Sequence, residues 1–110
     1  MDINVVYQQI KDGTLDGILF EPPLTIEVSF RHDNPDFVAR PIIAAGMVKE
    51  NGTTFLTVKY DGKLNGCYGT TLNRCLVKLP DGKTYDQPDE IYAVLRSYKN
   101  DYVDLDDIVF

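Results

Sequence analysis

The sequence is poor in the side chains that bind metals: it has one histidine, His32, and two cysteines, Cys67 and Cys75, and it has no tryptophan. A structural zinc site needs four ligands, mostly Cys and His, so three such residues argue against one. The longest apolar run, residues 42–48, is far shorter than the roughly 18 residues of a membrane-spanning helix. We therefore expect no metal, no cofactor and no membrane insertion.

Several sequence motifs of catalysis and nucleotide binding are also missing. Neither Gly-x-x-x-x-Gly-Lys-Ser/Thr nor Gly-x-Gly-x-x-Gly occurs, and there is no Gly-x-Ser-x-Gly. These motifs cradle phosphates or expose a nucleophile, so their absence leaves nucleotide binding and serine hydrolysis unsupported. The N-terminus lacks a basic segment followed by an apolar one, which predicts a cytoplasmic protein of the producing or host cell with reduced cysteines.

The composition that is present is that of a folded domain. Hydrophobic residues make up 44% and charged residues 25% of 110 residues, close to the averages of soluble proteins. A chain of this length has room for one core of ordinary size. Residues 1–110 are therefore predicted to form a single compact domain.

The N-terminal third predicts a short helix followed by a strand. Asp2 is a good N-cap, the stripe Ile3, Val6, Tyr7 and Ile10 repeats with helical spacing, and Gly13 suits a left-handed end. Residues 24–30 then alternate between apolar and polar side chains, which predicts a strand with Phe30 in the core. We expect residues 17–20 to form a separate short strand, because Pro22 and Pro23 interrupt a central ladder.

The middle of the chain predicts hairpins. Asn51-Gly52 lies between two apolar-rich runs and favours a two-residue type I′ turn, with the first strand beginning near Pro41. Residues 61–69 contain three glycines, which indicates tight turns or a bulged strand. A hairpin over residues 67–75 would let Cys67 and Cys75 face each other, and residues 75–85 predict another hairpin.

The C-terminal segment predicts a second helix and then a weak strand. Pro88 suits the first helical position, and Ile91, Val94, Leu95 and Tyr98 form an apolar stripe that Asn100 can cap. Residues 102–110 alternate briefly, as an edge strand does. The whole pattern predicts an α+β fold with a five- or six-stranded, mostly antiparallel sheet and two short helices packed on one face. A small SH3-like or OB-like barrel with helical additions is the alternative.

Negative charge is concentrated at the two ends of the chain. The net charge is −3 over residues 1–31, 0 over 32–60, +2 over 61–85 and −5 over 86–110, and the whole chain carries −6. An acidic chain offers little to a nucleic-acid backbone, which binds clustered Lys and Arg. It is suited to a partner protein with a basic surface, toward which its field steers the encounter.

These observations predict a non-enzymatic protein-binding domain. A small acidic inhibitor, of the kind encoded by phages and mobile elements, or a component of an assembly fits the composition. Tyrosines supply large contact areas at binding surfaces, and three of them lie in the acidic C-terminal segment. The residues assigned to partner binding are Tyr92, Tyr98, Tyr102, Asp101, Asp104, Asp106 and Asp107.

Two other classes of function stay open. A small enzyme would use a thiol and imidazole built from Cys67, Cys75 and His32, or a pair of carboxylates. Residues 59–85 interleave basic and aromatic side chains, and on a β-ribbon such a pattern can stack and bind single-stranded nucleic acid. Labelling with a thiol reagent and binding at low salt, respectively, distinguish these classes from a protein-binding domain.

Overall fold

The computed structural model describes the backbone of residues 2–108 and the side chains of residues 2–98. Its fold is α+β: six antiparallel strands form one sheet that curls into a half-barrel, and a helix stands at each end of the chain. The spatial order of the strands is β4-β3-β2-β1-β5-β6. The elements are α1 (Ile3–Asp12), β1 (Gly17–Ser29), β2 (Val38–Glu50), β3 (Thr53–Leu64), β4 (Cys67–Thr71), β5 (Leu76–Lys78), β6 (Thr84–Tyr85) and α2 (Pro88–Ile108).

Helix α1 begins and ends where the sequence predicts. The Asp2 side chain accepts a hydrogen bond from the backbone N–H of Asn4, and Gly13 ends the helix with a φ of 81°. Val6 and Ile10 bury the apolar stripe of the helix. The helix therefore depends on the sheet for most of its stability, as a segment of three turns must.

The two helices lie on opposite faces of the sheet, so the expectation of one shared face was wrong. Ala44 packs with α1, whereas its neighbour Ala45 packs in the main core with Ile91 and Leu95 of α2. Adjacent residues of a strand point to opposite faces, which places the helices on different sides. The apolar stripes of the two helices match in pattern, and a pattern cannot specify which face each one covers.

Three glycines let α1 approach the sheet closely. A Cβ atom at Gly17 or Gly46 would run into the side chain of Ile10, and one at Gly69 would run into Ile3 and the backbone of β3. Gly69 thus belongs to the seat of α1 as well as to the β3–β4 hairpin. These three glycines form a flat floor beneath the helix.

The expectation of a separate short strand over residues 17–20 was wrong, because Gly17–Ser29 form one strand, β1. Its register with β2 shifts between Leu19 and Leu24, and Pro22 and Pro23 lie in that interval. Strand β5 pairs only with the last part of β1, from Glu27 to Ser29, so the prolines remove no donor from that pairing. The prolines therefore interrupt the ladder without ending the strand.

Phe30 is exposed, contrary to its place in the alternating pattern. The strand ends at Ser29, whose buried hydroxyl donates to the carbonyl of Arg31 and accepts from the N–H groups of Arg31 and Asp36. These bonds turn the chain away from the sheet just before Phe30, which is 62% exposed. A serine that closes a turn has outweighed the hydrophobic periodicity.

The hairpins predicted at Asn51-Gly52 and over residues 75–85 are confirmed, the second by the pairing of β5 with β6. Asn51 and Gly52 have φ values of 53° and 79°, and Glu50 pairs with Thr53 across the turn. Strand β2 starts at Val38, earlier than expected, because β3 begins to pair with it only at Ile42 and Pro41 lies where no hydrogen bond to β3 is needed. A second Asn-Gly turn, Asn65-Gly66, closes β3 onto β4.

Helix α2 is longer than expected. It begins at Pro88, as predicted, and runs for 21 residues to Ile108. The expected cap at Asn100 and the expected strand over residues 102–108 were therefore wrong, while residues 109–110 lie outside the described residues. Apolar residues at 95, 98, 102 and 105 keep the three- or four-residue spacing of a helix, and this periodicity outweighs the brief alternation. Within the described residues, no helix is long and apolar enough to cross a bilayer.

Candidate binding surfaces

The two described tyrosines of the predicted partner-binding set cover the core. Tyr92 and Tyr98 are half-buried and pack against the main cluster of core residues. Burial raises the pKa of Tyr92, and the carboxylate of Asp16 acts in the same direction, while Arg96 opposes both. The guanidinium of Arg96 lies 6.0 Å from the ring centre of Tyr92. Only part of each ring is open to a partner.

The five other residues of that set belong to the C-terminal half of α2. Their backbone is helical, and their side chains lie outside the described residues. These residues are Asp101, Tyr102, Asp104, Asp106 and Asp107.

Neither cysteine lines the surface depression in which His32 lies. The Nε2 atom of His32 lies 3.0 Å from the carbonyl oxygen of Arg74, and His32 lines a surface depression of about 380 Å³ at the start of α2. Cys75 does not line this depression; it is fully buried, and its thiol donates to the carbonyl of Asn73 at 3.6 Å. Burial raises the pKa of the Cys75 thiol, which disfavours the nucleophilic thiolate.

Both cysteines are free. Cys67 is exposed on the edge strand β4, whereas Cys75 is buried between β4 and β5. The expected hairpin over residues 67–75 does not form, because β4 pairs with β3 and not with β5. Among the described residues, no group of three Cys, His, Asp or Glu side chains is placed to bind a metal ion.

The basic and aromatic residues of segment 59–85 separate into several places. Tyr60 is buried and lies 5.7 Å from the guanidinium of Arg40. Lys78 contacts the ring of Phe37. The hydroxyl of Tyr85 donates a hydrogen bond to the carboxylate of Asp81 at 2.7 Å, and both of these residues are distant from Lys59 in sequence. A continuous ribbon of stacking groups, as the single-strand hypothesis requires, is therefore not formed by the whole segment.

One part of that segment combines with α1 into a continuous surface, which we call the lysine–tyrosine band. The ammonium of Lys59 lies between two rings, 5.7 Å from the centre of Tyr7 and 4.9 Å from that of Tyr68. Lys11 lies 5.1 Å from the Tyr7 ring, and Lys63 lies 5.7 Å from the Tyr68 ring. The band consists of Lys11, Tyr7, Lys59, Tyr68 and Lys63 in that spatial order.

Sequence alone points to three of the five residues of this band. Lys59, Lys63 and Tyr68 are close together in sequence, but Tyr7 and Lys11 are on a helix about fifty residues earlier. The spacing of Tyr7 and Lys11, i and i+4 on one helix, is a local signal that a cation and a ring are neighbours. The residues from α1 and those from residues 59–68 come together only because α1 packs against β3 and β4.

A second depression adjoins the band and shares two residues with it. Its volume is about 380 Å³, and Leu19, which is 41% exposed, lies in its wall. It is more apolar than the depression beside His32, because aliphatic and aromatic side chains dominate its lining. The lining residues are Tyr7, Lys11, Leu19, Phe20, Glu21, Pro23 and Ile43.

Comparison of the chain with protein-family models, with curated proteins and with solved structures gives no match.

Proposed function

We propose that this chain is a non-enzymatic protein-binding domain, an acidic inhibitor or assembly component, whose partner is a protein with a basic surface. The observation that carries the proposal is the single helix α2, which joins an anchored half to an acidic half. Ile91 and Leu95 are fully buried and fix the first half to the sheet. The second half contains four of the seven acidic residues that give segment 86–110 its net charge of −5.

Helix electrostatics support a cationic partner for this segment. The C-terminal end of a helix carries partial negative charge, and acidic residues there are unfavourable by about 0.3–1 kcal/mol each. The last turn of α2 contains no basic residue, and Asp104, Asp106 and Asp107 lie within the final two turns. Lysine or arginine side chains of a partner would offset this repulsion, so binding and helix stability would reinforce each other.

Because the helix is continuous, the backbone positions of its acidic residues are fixed relative to one another. Positions 101, 104 and 107 follow one another at intervals of three, which is the spacing of neighbours along one side of a helix. A helix rises about 1.5 Å per residue, so these positions span about 9 Å. We propose that the acidic residues of this segment, foremost Asp104, Asp106 and Asp107, approach the basic surface. The encounter would take place in the cytoplasm of the producing or host cell, where the exposed thiol of Cys67 would stay reduced.

The experiment that tests the proposal starts with the tagged chain and a lysate of its native host. A partner recovered there is purified and its dissociation constant is measured for the wild type and for the triple variant Asp104→Asn, Asp106→Asn and Asp107→Asn. We expect the variant to bind at least about tenfold more weakly, since each lost charge-assisted contact is worth roughly 1.5–3 kcal/mol when fully formed. The affinity of the wild type should also fall as salt rises.

A matched control removes the same charge elsewhere. Asp36, Glu50 and Asp61 are exposed, and the variant Asp36→Asn, Glu50→Gln and Asp61→Asn changes the net charge equally. We expect it to lower the affinity less than threefold. Equal binding by the two triple variants would refute the assignment of the C-terminal half of α2. Loss of the partner's activity on binding would indicate an inhibitor, and incorporation into a larger particle would indicate an assembly component.

A further inference from the structure

The lysine–tyrosine band concentrates positive charge on an acidic chain. Lys11, Lys59 and Lys63 lie along it, and within the described part of the chain none of their ammonium groups forms an ion pair with a carboxylate. The whole chain carries −6. A row of three cations without anionic partners is therefore a local exception to the charge of the molecule, and it fits a negatively charged ligand.

The two tyrosine rings restrict what that ligand can be. Tyr68 has Lys59 and Lys63 at 4.9 and 5.7 Å, and Tyr7 has Lys11 and Lys59 at 5.1 and 5.7 Å. An ammonium group over a ring and a nucleic-acid base stacked on it both use a ring face, so the lysines compete with a base for Tyr7 and Tyr68. Carboxylates could instead bind the ammonium groups while the rings keep the lysines in place. The geometry favours carboxylates over stacked bases.

The adjoining depression adds an apolar requirement. The depression shares Tyr7 and Lys11 with the band, so a ligand bound along the band also lies at the edge of the depression. Leu19, Pro23 and Ile43 offer it apolar surface, and Leu19 stays 41% exposed. An aliphatic side chain would bury this surface better than the charged sugar–phosphate backbone of a nucleic acid. The ligand should therefore combine carboxylates with at least one apolar side chain.

We propose that the band and the adjoining depression bind an acidic peptide segment of a partner protein, with its carboxylates on Lys11, Lys59 and Lys63 and an aliphatic side chain against Leu19. This surface is formed by α1 and by strands β1 to β4, and α1 covers the face of the sheet opposite to α2. It therefore lies on the face of the sheet opposite to the one that Ile91 and Leu95 of α2 cover. The chain would present surfaces of opposite charge to two partners, as a connecting component of an assembly does.

The test uses the full chain and a fluorescein-labelled ten-residue peptide of alternating glutamate and leucine, with binding followed by fluorescence anisotropy. Lys59→Met removes the ammonium and keeps the length of the side chain. We expect it to weaken binding at least about tenfold. The control Lys49→Met, at an exposed lysine that contacts no ring of residues 2–98, should change binding less than twofold. Equal affinity of both variants for the peptide would overturn the proposal.

Two further arms define the chemistry. Leu19→Ser should weaken binding of the glutamate–leucine peptide several-fold and leave a glutamate–serine peptide unaffected, because only the first uses the apolar depression. A labelled ten-nucleotide oligothymidylate should bind more weakly than the peptide at the same salt. Tighter binding that Lys59→Met abolishes would overturn the proposal in favour of nucleic acid.

Sedimentation of the chain alone should give a monomer. Self-association that is lost in Lys59→Met would instead identify a second copy of the chain as the occupant and would overturn the proposal.

The measurement does not depend on the function proposed for α2. The triple variant Asp104→Asn, Asp106→Asn and Asp107→Asn should bind the peptide as the wild type does, and Lys59→Met should bind the basic partner of α2 unchanged. Circular dichroism and thermal unfolding of each variant check that it is folded. Loss of binding at one surface can then be recognised, because the other surface still binds its ligand.

Discussion

The contact between Ile10 and Gly46 offers a direct test of how α1 is seated on the sheet. A Cβ atom placed on Gly46 would lie 3.0 Å from the Cδ1 atom of Ile10, and its next neighbours are 3.7 Å away. The substitution Gly46→Ala therefore meets one obstructing atom. The substitution Ile10→Val removes that atom, since valine lacks Cδ1. We predict that the two substitutions, each destabilising alone, compensate each other when combined.

The magnitudes follow from packing. Overpacking a core costs about 1–3 kcal/mol, and replacing a strand glycine by alanine regains roughly 0.5–1 kcal/mol, so Gly46→Ala should cost about 0.5–2 kcal/mol. Ile10→Val should cost about 0.5–1.5 kcal/mol, because it leaves a methyl-sized space. In the double variant the new methyl group occupies that space. We expect a coupling free energy of about 1 kcal/mol or more in favour of the pair.

The assay is urea unfolding followed by circular dichroism for the wild type, both single variants and the double variant. Gly17→Ala is the matched control: its Cβ would lie 2.7 Å from Cγ1 of Ile10 and 2.9 Å from the backbone oxygen of Ala45, and Ile10→Val does not remove the second obstruction. Little compensation is expected for that pair. Additivity within about 0.3 kcal/mol for Ile10 and Gly46 would refute the described seating of α1.

Three further predictions concern the turns and the titrating groups. Gly52→Ala should destabilise the chain by about 1–2 kcal/mol in the same unfolding assay, because φ is 79° there; an unchanged midpoint would contradict the type I′ turn. A thiol reagent should label Cys67 quickly in the folded protein and Cys75 only after unfolding, so rapid labelling of Cys67→Ser would show that Cys75 is accessible. Asp81→Asn should lower the pKa of Tyr85 from about 12 toward 10.0, as followed by NMR of ring-labelled tyrosine. Since folding raises that pKa, the stabilisation from the Tyr85 hydrogen bond is complete below pH 10 and declines between pH 10 and 12, and a pKa unaffected by Asp81→Asn would refute this role of the carboxylate.

Local signals were sufficient for the turns and for the starts of both helices. Asn51-Gly52 adopts the positive φ values that its residue types favour, Asp2 caps α1, and Pro88 opens α2. Each of these features depends on a few consecutive residues and their backbone preferences. Such information is contained in a short window of sequence, whatever the rest of the chain does.

The face that each helix covers could not be obtained in this way. Two amphipathic helices and an alternating sheet are compatible with packing on the same face or on opposite faces. The deciding feature is that the sheet has no side chains beneath α1 at Gly17, Gly46 and Gly69, three positions that are far apart in sequence. Local sequence indicates a turn or bulge only for Gly69, within residues 61–69, and the shared role of the three glycines as the floor of a helix depends on strand order and register.

The candidate binding surface was only half predictable for the same reason. A basic and aromatic segment around Lys59 was evident, but most of its members point to unrelated neighbours, such as Tyr60 to Arg40 and Lys78 to Phe37. The partners that complete the surface come from α1. Proximity in sequence indicates which types of residue the surface contains, whereas tertiary packing determines which residues form it.

The two prolines of β1 have a consequence for how the protein behaves at high concentration. Among the described strands, only β2 pairs with this strand from Gly17 to Ile26, so its other edge could recruit an extended segment of another molecule. Pro22 and Pro23 supply no N–H group to such an intermolecular ladder, and Glu21 adds charge beside them. The outer strands β4 and β6 have only five and two residues. Fibrillar stacking through exposed backbone is thereby discouraged at each of these edges, and association is left to side-chain chemistry.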